Sequence, residues 1–199
     1  AFVVAGAGRD ALLADFQASI QEALEQGRTL ADFRKDFDRI VAKHGWSYNG
    51  SRGWRSRVIY DTNLRMARAT GRWDQIQRAK KRRPWLRYVA VKDARTRPEH
   101  DAWHGTVLPV DDPWWHTHYP PNGWRCRCTV QQLSDRDLKR YGHAPSDRAP
   151  PSETVDRQIN TPAGPVDIEV PRGIDPGFAY NPGRAGYGET WHSSSRVDS

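Results

Sequence analysis

Apolar residues recur along the first third of the chain at spacings of three and four. Leu13, Phe16, Ile20 and Leu24 share one face of an amphipathic helix expected over roughly residues 9–26. Gly27 supplies a left-handed stop. Thr29 stands three residues before Asp32, the capping-box spacing with an aspartate in place of the usual glutamate. Leu30, Phe33, Phe37, Ile40, Val41 and His44 then carry a second helix to Gly45, so the chain opens on a helical hairpin. Residues 46–54 (WSYNGSRGW) read as a turn-rich connector. A third, longer helix is expected from about Ser56 to Lys81, with Ile59, Met66, Trp73 and Ile76 on one face and Pro84 ending it.

After Pro84 the period changes. Alternation through Leu86, Tyr88 and Ala90 predicts a strand, and residues 97–105 a short helix or turn. A brief strand is expected at 106–110, a Trp- and Pro-dense loop at 111–123, a strand at 124–131 (WRCRCTVQ) and a short helix at 135–141. From His143 onward Pro and Gly dominate, with small strands at 154–159 and 166–170 and an extended arm from Asp175 to Ser199. The fold expected is α+β. An N-terminal helical hairpin and long helix (1–83) lead to a small mixed β-sheet centre (84–142) and an extended Pro/Gly-rich C-terminal arm (143–199).

Composition changes this picture in three ways. With 37% hydrophobic residues, 16 Gly and 14 Pro in 199 residues, the chain is lean for one globule, which fits a compact part with extended segments. Nine Trp pull the other way and need surfaces to bury against, within the chain or on partners. No apolar run approaches the ~20 residues of a membrane span, so no membrane partner is expected. Ala1–Gly8 is too short and lacks the basic start of a secretion signal. A start at Ala1 rather than Met is what a piece of a longer polypeptide would show.

The net charge of +7 is unevenly placed. Between Arg52 and Arg87 stand twelve Lys or Arg against only Asp61 and Asp74, so the remainder of the chain is net acidic. At ~100° per residue, Arg65, Arg68 and Arg72 fall on a flank beside the apolar stripe of the third helix. A localised polyanion contact and a solvated helix face both fit, and charge alone does not choose between them.

Candidate chemistry gathers between Asp93 and Cys128. Cys126 and Cys128 are too close in sequence for an unstrained disulfide, and on a strand both would point to one face. His100 and His104, four apart, would face one point on a helical turn. A zinc site from His100, Cys126 and Cys128, with His104, His116 or His118 as fourth ligand, is chemically reasonable. The other reading makes the two cysteines small buried hydrophobes and His100 a hydrogen-bonded core residue. Arg97 is set to pair with Asp93, Asp111 or Asp112 and order the loop, or to act as a catalytic cation. Asn122-Gly123 after two prolines is a turn signal, because both residues tolerate positive φ. Trp103, Trp114, Trp115 and Trp124 would form an apolar lid over the motif or an aromatic surface for a neighbouring subunit.

The ordered set Arg97-x-x-His100, Gly105, Asp112-Pro113-Trp114-Trp115, Pro120-Pro121-Asn122-Gly123 and Cys126-x-Cys128 resembles the phage Mu F-like head morphogenesis family, the minor head proteins. Tyr60–Arg65 with Gly71-Arg72-Trp73 is similar to the family's helical approach to this motif. Gly173-x-Asp175-Pro176-Gly177-Phe178 with Asn181-Pro182-Gly183 is similar to its usual ending, so the resemblance runs from about Leu30 to Gly186. It implies a low-copy structural virion protein inside the head, in the host cytoplasm during assembly. Its partners would be the portal and other capsid proteins, and its work head assembly and in some members DNA packaging or ejection. In that setting Arg65, Arg68, Arg72, Lys80, Lys81, Arg82 and Arg83 would touch double-stranded DNA. The contact would be sequence-independent, since the chain has no phosphate loop or groove-reading motif.

Two other classes compete. A metal-dependent hydrolase or nuclease, or a phage-associated effector domain, would use His100, His104, His116 and His118 beside Asp101, Asp111 and Asp112. A plain nucleic-acid-binding module would use the Arg52–Arg87 stretch. The sequence carries no H-E-x-x-H, G-x-S-x-G or HNH-like signature, so no catalytic residue is assigned and a non-enzyme is expected. A closed four-ligand metal site would argue for structure, an open one with water for catalysis.

Overall fold

The computed structural model describes residues 2–161 and 164–185. Helices α1 (Asp10–Gln26) and α2 (Leu30–His44) form the expected hairpin, each closed by a left-handed glycine, Gly27 at φ 66° and Gly45 at φ 56°. The Thr29 hydroxyl accepts the Asp32 N–H, and the Asp32 carboxylate accepts the Thr29 N–H at 3.1 Å, so aspartate completes the box. Helix α3 (Arg52–Ala79) starts at Arg52 rather than about Ser56, because the Ser51 side chain caps it by accepting the Trp54 N–H.

Helix α3 has 28 residues, and a helix of that length runs about 42 Å. Its buried stripe serves two cores. Near its start Ile59 packs with Phe16, Ile20, Phe33, Phe37 and Ile40 of the hairpin and with Phe2 and Val4. Further along, Met66, Trp73 and Ile76 pack with Leu86, Tyr88, Leu108, Trp114, Trp115 and Tyr119. The N-terminal segment is tied to the helix through Asn63, whose amide donates to the Val3 carbonyl and accepts the Val3 N–H, both at 2.8 Å.

Beyond α3 come β1 (Trp85–Val89), α4 (Pro98–Trp103), β2 (Val107–Pro109), α5 (Trp115–His118), β3 (Thr129–Leu133) and α6 (Asp135–Tyr141). The sheet order is β2–β1–β3 with antiparallel pairing, and Leu86 lies opposite Leu108 and Gln132. Strand alternation sends Leu86, Tyr88, Leu108 and Val130 into the main core. The opposite face carries Trp85, Val107 and Leu133 beneath Leu138 of α6.

Two local expectations are corrected. The segment read as all loop contains α5, after a turn in which the Asp112 carboxylate accepts the Trp114 N–H at 2.8 Å. Strand β3 begins at Thr129 and not at residue 124. Arg125 sits at φ 61° and the Cys126 N–H bonds to the Gly123 carbonyl, a turn that interrupts any extended run.

Strands β4 (Thr154–Thr161) and β5 (Gly164–Pro171) pair with each other as a largely exposed ribbon. The segment after it was expected to be an extended arm, but up to Ala185 it packs back on the body. Ile174 and Phe178 enter the main core, and Asn181 donates to the Trp115 carbonyl at 3.2 Å. Thr70 of α3 donates to the Pro182 carbonyl at 3.3 Å, and Gly183 lies so close to Trp73 that a Cβ would overlap the indole. Residues 186–199 of the expected arm lie outside the described residues. The architecture is thus α+β as expected, with a helical front, and the return segment acts as its strap.

Phe178 is 0% exposed. Phe178→Ala is expected to cost about 3–5 kcal/mol in denaturant unfolding, the range for a fully buried phenylalanine. A loss below about 1 kcal/mol would mean that the strap does not share the core.

Candidate functional site

Helix α4 opens with Pro98 in its first turn and turns His100 and Trp103 inward, where the two rings stack at 5.1 Å. His100 is 2% exposed, and its Nε2 lies 2.8 Å from the Gly173 carbonyl of the strap. A carbonyl can only accept, so Nε2 carries a proton. Nδ1 faces two sulfurs, Cys128 Sγ at 3.4 Å and Cys126 Sγ at 3.7 Å. All three donor atoms lie within 4.8 Å of one another.

The cysteines are brought there by the turn before β3, not by a strand face. Asn122 is buried and triply held. Its Oδ1 accepts the Tyr88 hydroxyl at 2.9 Å, its Nδ2 donates to the Thr117 carbonyl, and its own carbonyl accepts the Asp175 N–H at 3.0 Å. Gly123 is required for space rather than for positive φ, because a Cβ there would overlap the Arg97 guanidinium and the Asp175 carboxylate. Gly105 does take the left-handed region, at φ 90°, and donates to the Tyr88 carbonyl.

Arg97 does not pair with any of the three aspartates expected for it. It pairs with Asp175 at 2.7 Å, and the same carboxylate oxygen accepts the Trp124 N–H at 2.8 Å. The three aspartates expected for this role are engaged elsewhere. Asp93 makes a bidentate pair with Arg127, Asp111 pairs with Lys80, and Asp112 caps the turn before α5. The Arg127 guanidinium holds the Asp93 carboxyl well below the usual carboxylate range. Asp175 and the Gly173 carbonyl were the functional groups missed as partners, and the signal available for them was the Gly173-x-Asp175-Pro176-Gly177 run.

His104 ends α4 and does not join the sulfur group. Its Nδ1 accepts the Ala90 N–H at 3.1 Å and its Nε2 faces Arg87. His116 is exposed, and His118 stacks on Trp114 at 4.4 Å and stands edge-on to Trp103. Among the described residues only His100, Cys126 and Cys128 form a cluster of metal-ligating side chains. Trp103, Trp114 and Trp115 are buried and Trp124 is partly covered by Phe178, so the four pack over the motif.

The thiol pair is electrically asymmetric. A hydrogen bond from Cys128, assisted by His100, draws the Cys126 thiol well below its ordinary pKa despite burial. The same hydrogen bond, together with burial, pushes Cys128 up. The pair therefore gives up its first proton more readily than its second, as two neighbouring thiols sharing a hydrogen bond do. Burial and the nearby sulfurs push the Tyr88 phenol up as well, so it stays a donor.

Comparison with known proteins gives a consistent result. A family profile described as Phage Mu protein F like protein matches residues 14–131. The chain is 33% identical to capsid assembly protein F of Escherichia phage Mu over 213 aligned positions, covering 94% of this chain and 48% of the relative. It is 34% identical to the Mu-like prophage FluMu F protein of Haemophilus influenzae, covering 71% of this chain and 37% of that protein. The chain thus spans about half the length, or less, of the curated relatives it matches. No solved structure matches.

The buried His118 ring gives the site a pH signature. Burial pulls its pKa down to about 4 from the ordinary 6.5, so the folded chain keeps it neutral where the unfolded chain protonates it. Its contribution is complete above pH 6.5 and is lost as pH falls from there toward about 4. Urea midpoints for wild type and His118→Phe are expected to converge between about pH 7 and pH 5, the wild type losing more. Equal losses in both proteins would show that His118 is not kept neutral by the fold.

Proposed function

The chain belongs to the family described as Phage Mu protein F like protein, and from that premise we propose that it is a structural capsid-morphogenesis protein of a tailed phage or prophage. We place it inside the head near the portal, in contact with packaged DNA. The observation that carries this reading is the match over residues 14–131, joined to similarity with a capsid assembly protein across 94% of the chain. The geometry favours a structural role over catalysis. Arg97, Asn122 and Gly123 are taken up by contacts that order the motif. The carboxylates that a metal-dependent hydrolase would use are bound to cations or to turns, Asp101 to Lys92 and Asp111 to Lys80.

DNA contact is supported by how the basic residues divide. Arg65 donates to the Cys126 carbonyl, Lys80 pairs with Asp111, and Arg83 pairs with Asp137 and donates to the Gln132 carbonyl. Arg68, Arg72, Lys81 and Arg82 are exposed and make no ion pair among the described contacts. Arg65, Arg68 and Arg72 also wall one side of a cavity of about 600 Å³ between α3 and the segment leading into β3. Backbone phosphates fit such a surface without base readout. The β4–β5 ribbon, which pairs with no other strand among the described residues, offers edges to neighbouring capsid proteins.

Two experiments test this. Heads purified from the phage or prophage that encodes the chain are expected to contain it at low copy, and its absence from both procapsids and mature heads would refute the capsid assignment. In filter binding, the protein is expected to hold duplex DNA with a log–log salt slope that shrinks by about 0.9 for each phosphate contact removed. Arg68→Ala, Arg72→Ala, Lys81→Ala and Arg82→Ala should each lower it, equally on unrelated sequences. Slopes identical to wild type in all four would remove DNA from the partners.

A further inference from the structure

We propose that His100 Nδ1, Cys126 Sγ and Cys128 Sγ bind one zinc ion that staples α4, the turn before β3 and the C-terminal strap into a single unit. The proposal rests on donor geometry and not on the capsid reading, so either can fail without the other.

The distances are those a zinc ion would require. With Zn–S near 2.3 Å and Zn–N near 2.0 Å, tetrahedral angles put a nitrogen and a sulfur about 3.6 Å apart. His100 Nδ1 stands 3.4 Å from one sulfur and 3.7 Å from the other, so the ion would demand little movement. Both spacings are ordinary for hydrogen bonds to sulfur, and loss of the thiol protons would leave nitrogen and sulfurs facing one another as donors for a cation.

The tautomer is already set for metal. A ligating histidine characteristically donates its other ring N–H to a carbonyl or carboxylate, which orients the ring and raises its basicity. Here the Gly173 carbonyl takes that part at 2.8 Å. The cysteines are anchored too, since Asn122 lies four residues before Cys126 and is fixed by Tyr88, Thr117 and Asp175. His100 is 2% and Cys126 7% exposed, while Cys128 is half-buried at the wall of the cavity.

Donor type selects the ion. Two thiolates and an imidazole suit zinc and reject magnesium and calcium, which take oxygen. The chain has only two cysteines, too few for a four-thiolate iron–sulfur cluster within one copy. Among the described residues no fourth His, Cys, Asp or Glu joins the group, so the three donors leave one corner of the tetrahedron to a further ligand. Both cysteines also line the arginine-walled cavity, through which water reaches them. An exchangeable position is where a catalytic zinc works, but among the described residues no carboxylate stands in the group to serve as its base. The ion's work is therefore to join α4 to the turn before β3, with the strap linked to it through the Gly173 carbonyl on His100.

The test uses the full chain, purified without a metal-affinity tag. Elemental analysis is expected to find about one zinc per chain, as for a single tetrahedral site. Metal-stripped wild type titrated with Co²⁺ is expected to develop thiolate-to-metal charge-transfer bands and the intense visible bands of tetrahedral cobalt. Cys128→Ser should lose them, and His116→Ala, an exposed control, should keep them. Wild type that carries no zinc and gives Co²⁺ no thiolate bands would overturn the proposal, and so would thiolate bands of full intensity in Cys128→Ser. Because the wild-type titration decides the question alone, a variant that fails to fold does not weaken the test.

Discussion

Everything else in the molecule is arranged along one continuous buried stripe on α3. Ile59 closes the core of the helical hairpin, while Met66, Trp73 and Ile76 close the core of the sheet. A single helix cannot bend to suit two independent bodies without breaking its own hydrogen bonds, so its stripe fixes where the hairpin and the sheet stand relative to each other. Loss of packing near its middle would be felt on both sides. The strap reinforces the same helix from outside, with Gly183 against Trp73 and Pro182 bonded to Thr70.

The motif region depends on the strap in a second way. Asp175 accepts from both the Arg97 guanidinium and the Trp124 N–H, and its own N–H goes to Asn122. One residue thus ties the start of α4 to the turn that carries the cysteines. Two residues earlier, the Gly173 carbonyl sets the His100 tautomer. Charge-assisted bonds of this kind are short and directional, and half-burial spares them much of the competition from water. The result is a group of donors positioned by three chain segments at once, which a lone loop could not hold.

Charge is organised with the same economy. The basic stretch that stands out in the sequence is two populations in the fold. Arg65, Lys80 and Arg83 satisfy carbonyls and carboxylates of the body, while Arg68, Arg72, Lys81 and Arg82 face solvent. The second population, with the exposed Arg57 and Arg78, is the part placed to release counterions from a polyanion, so the effective charge of the surface is smaller than the composition implies. Arg65, Arg68 and Arg72 divide on α3 because successive turns present different residues to the body and to water, and the other four divide in the turn that follows it.

Local chemistry made a good deal of this legible in advance. The hairpin, its glycine stops and the Thr29 cap follow from spacing and from backbone preferences that act within a few residues, as do β1 and α6. The convergence of His100 with Cys126 and Cys128 was readable as residue types suited to one soft cation. What lay beyond the sequence was everything set by partners distant along the chain. The choice of Asp175 for Arg97 over three nearer aspartates, the exclusion of His104 from the sulfur group, and the docking of Phe178 in the core each depend on which surfaces meet after the chain has folded back. Periodicity records which face of an element is apolar, whereas only packing decides what covers that face. For this chain the Pro/Gly-rich segment after β5 carries no period, and its position came from the shape of the cleft between α3 and α5 that it fills.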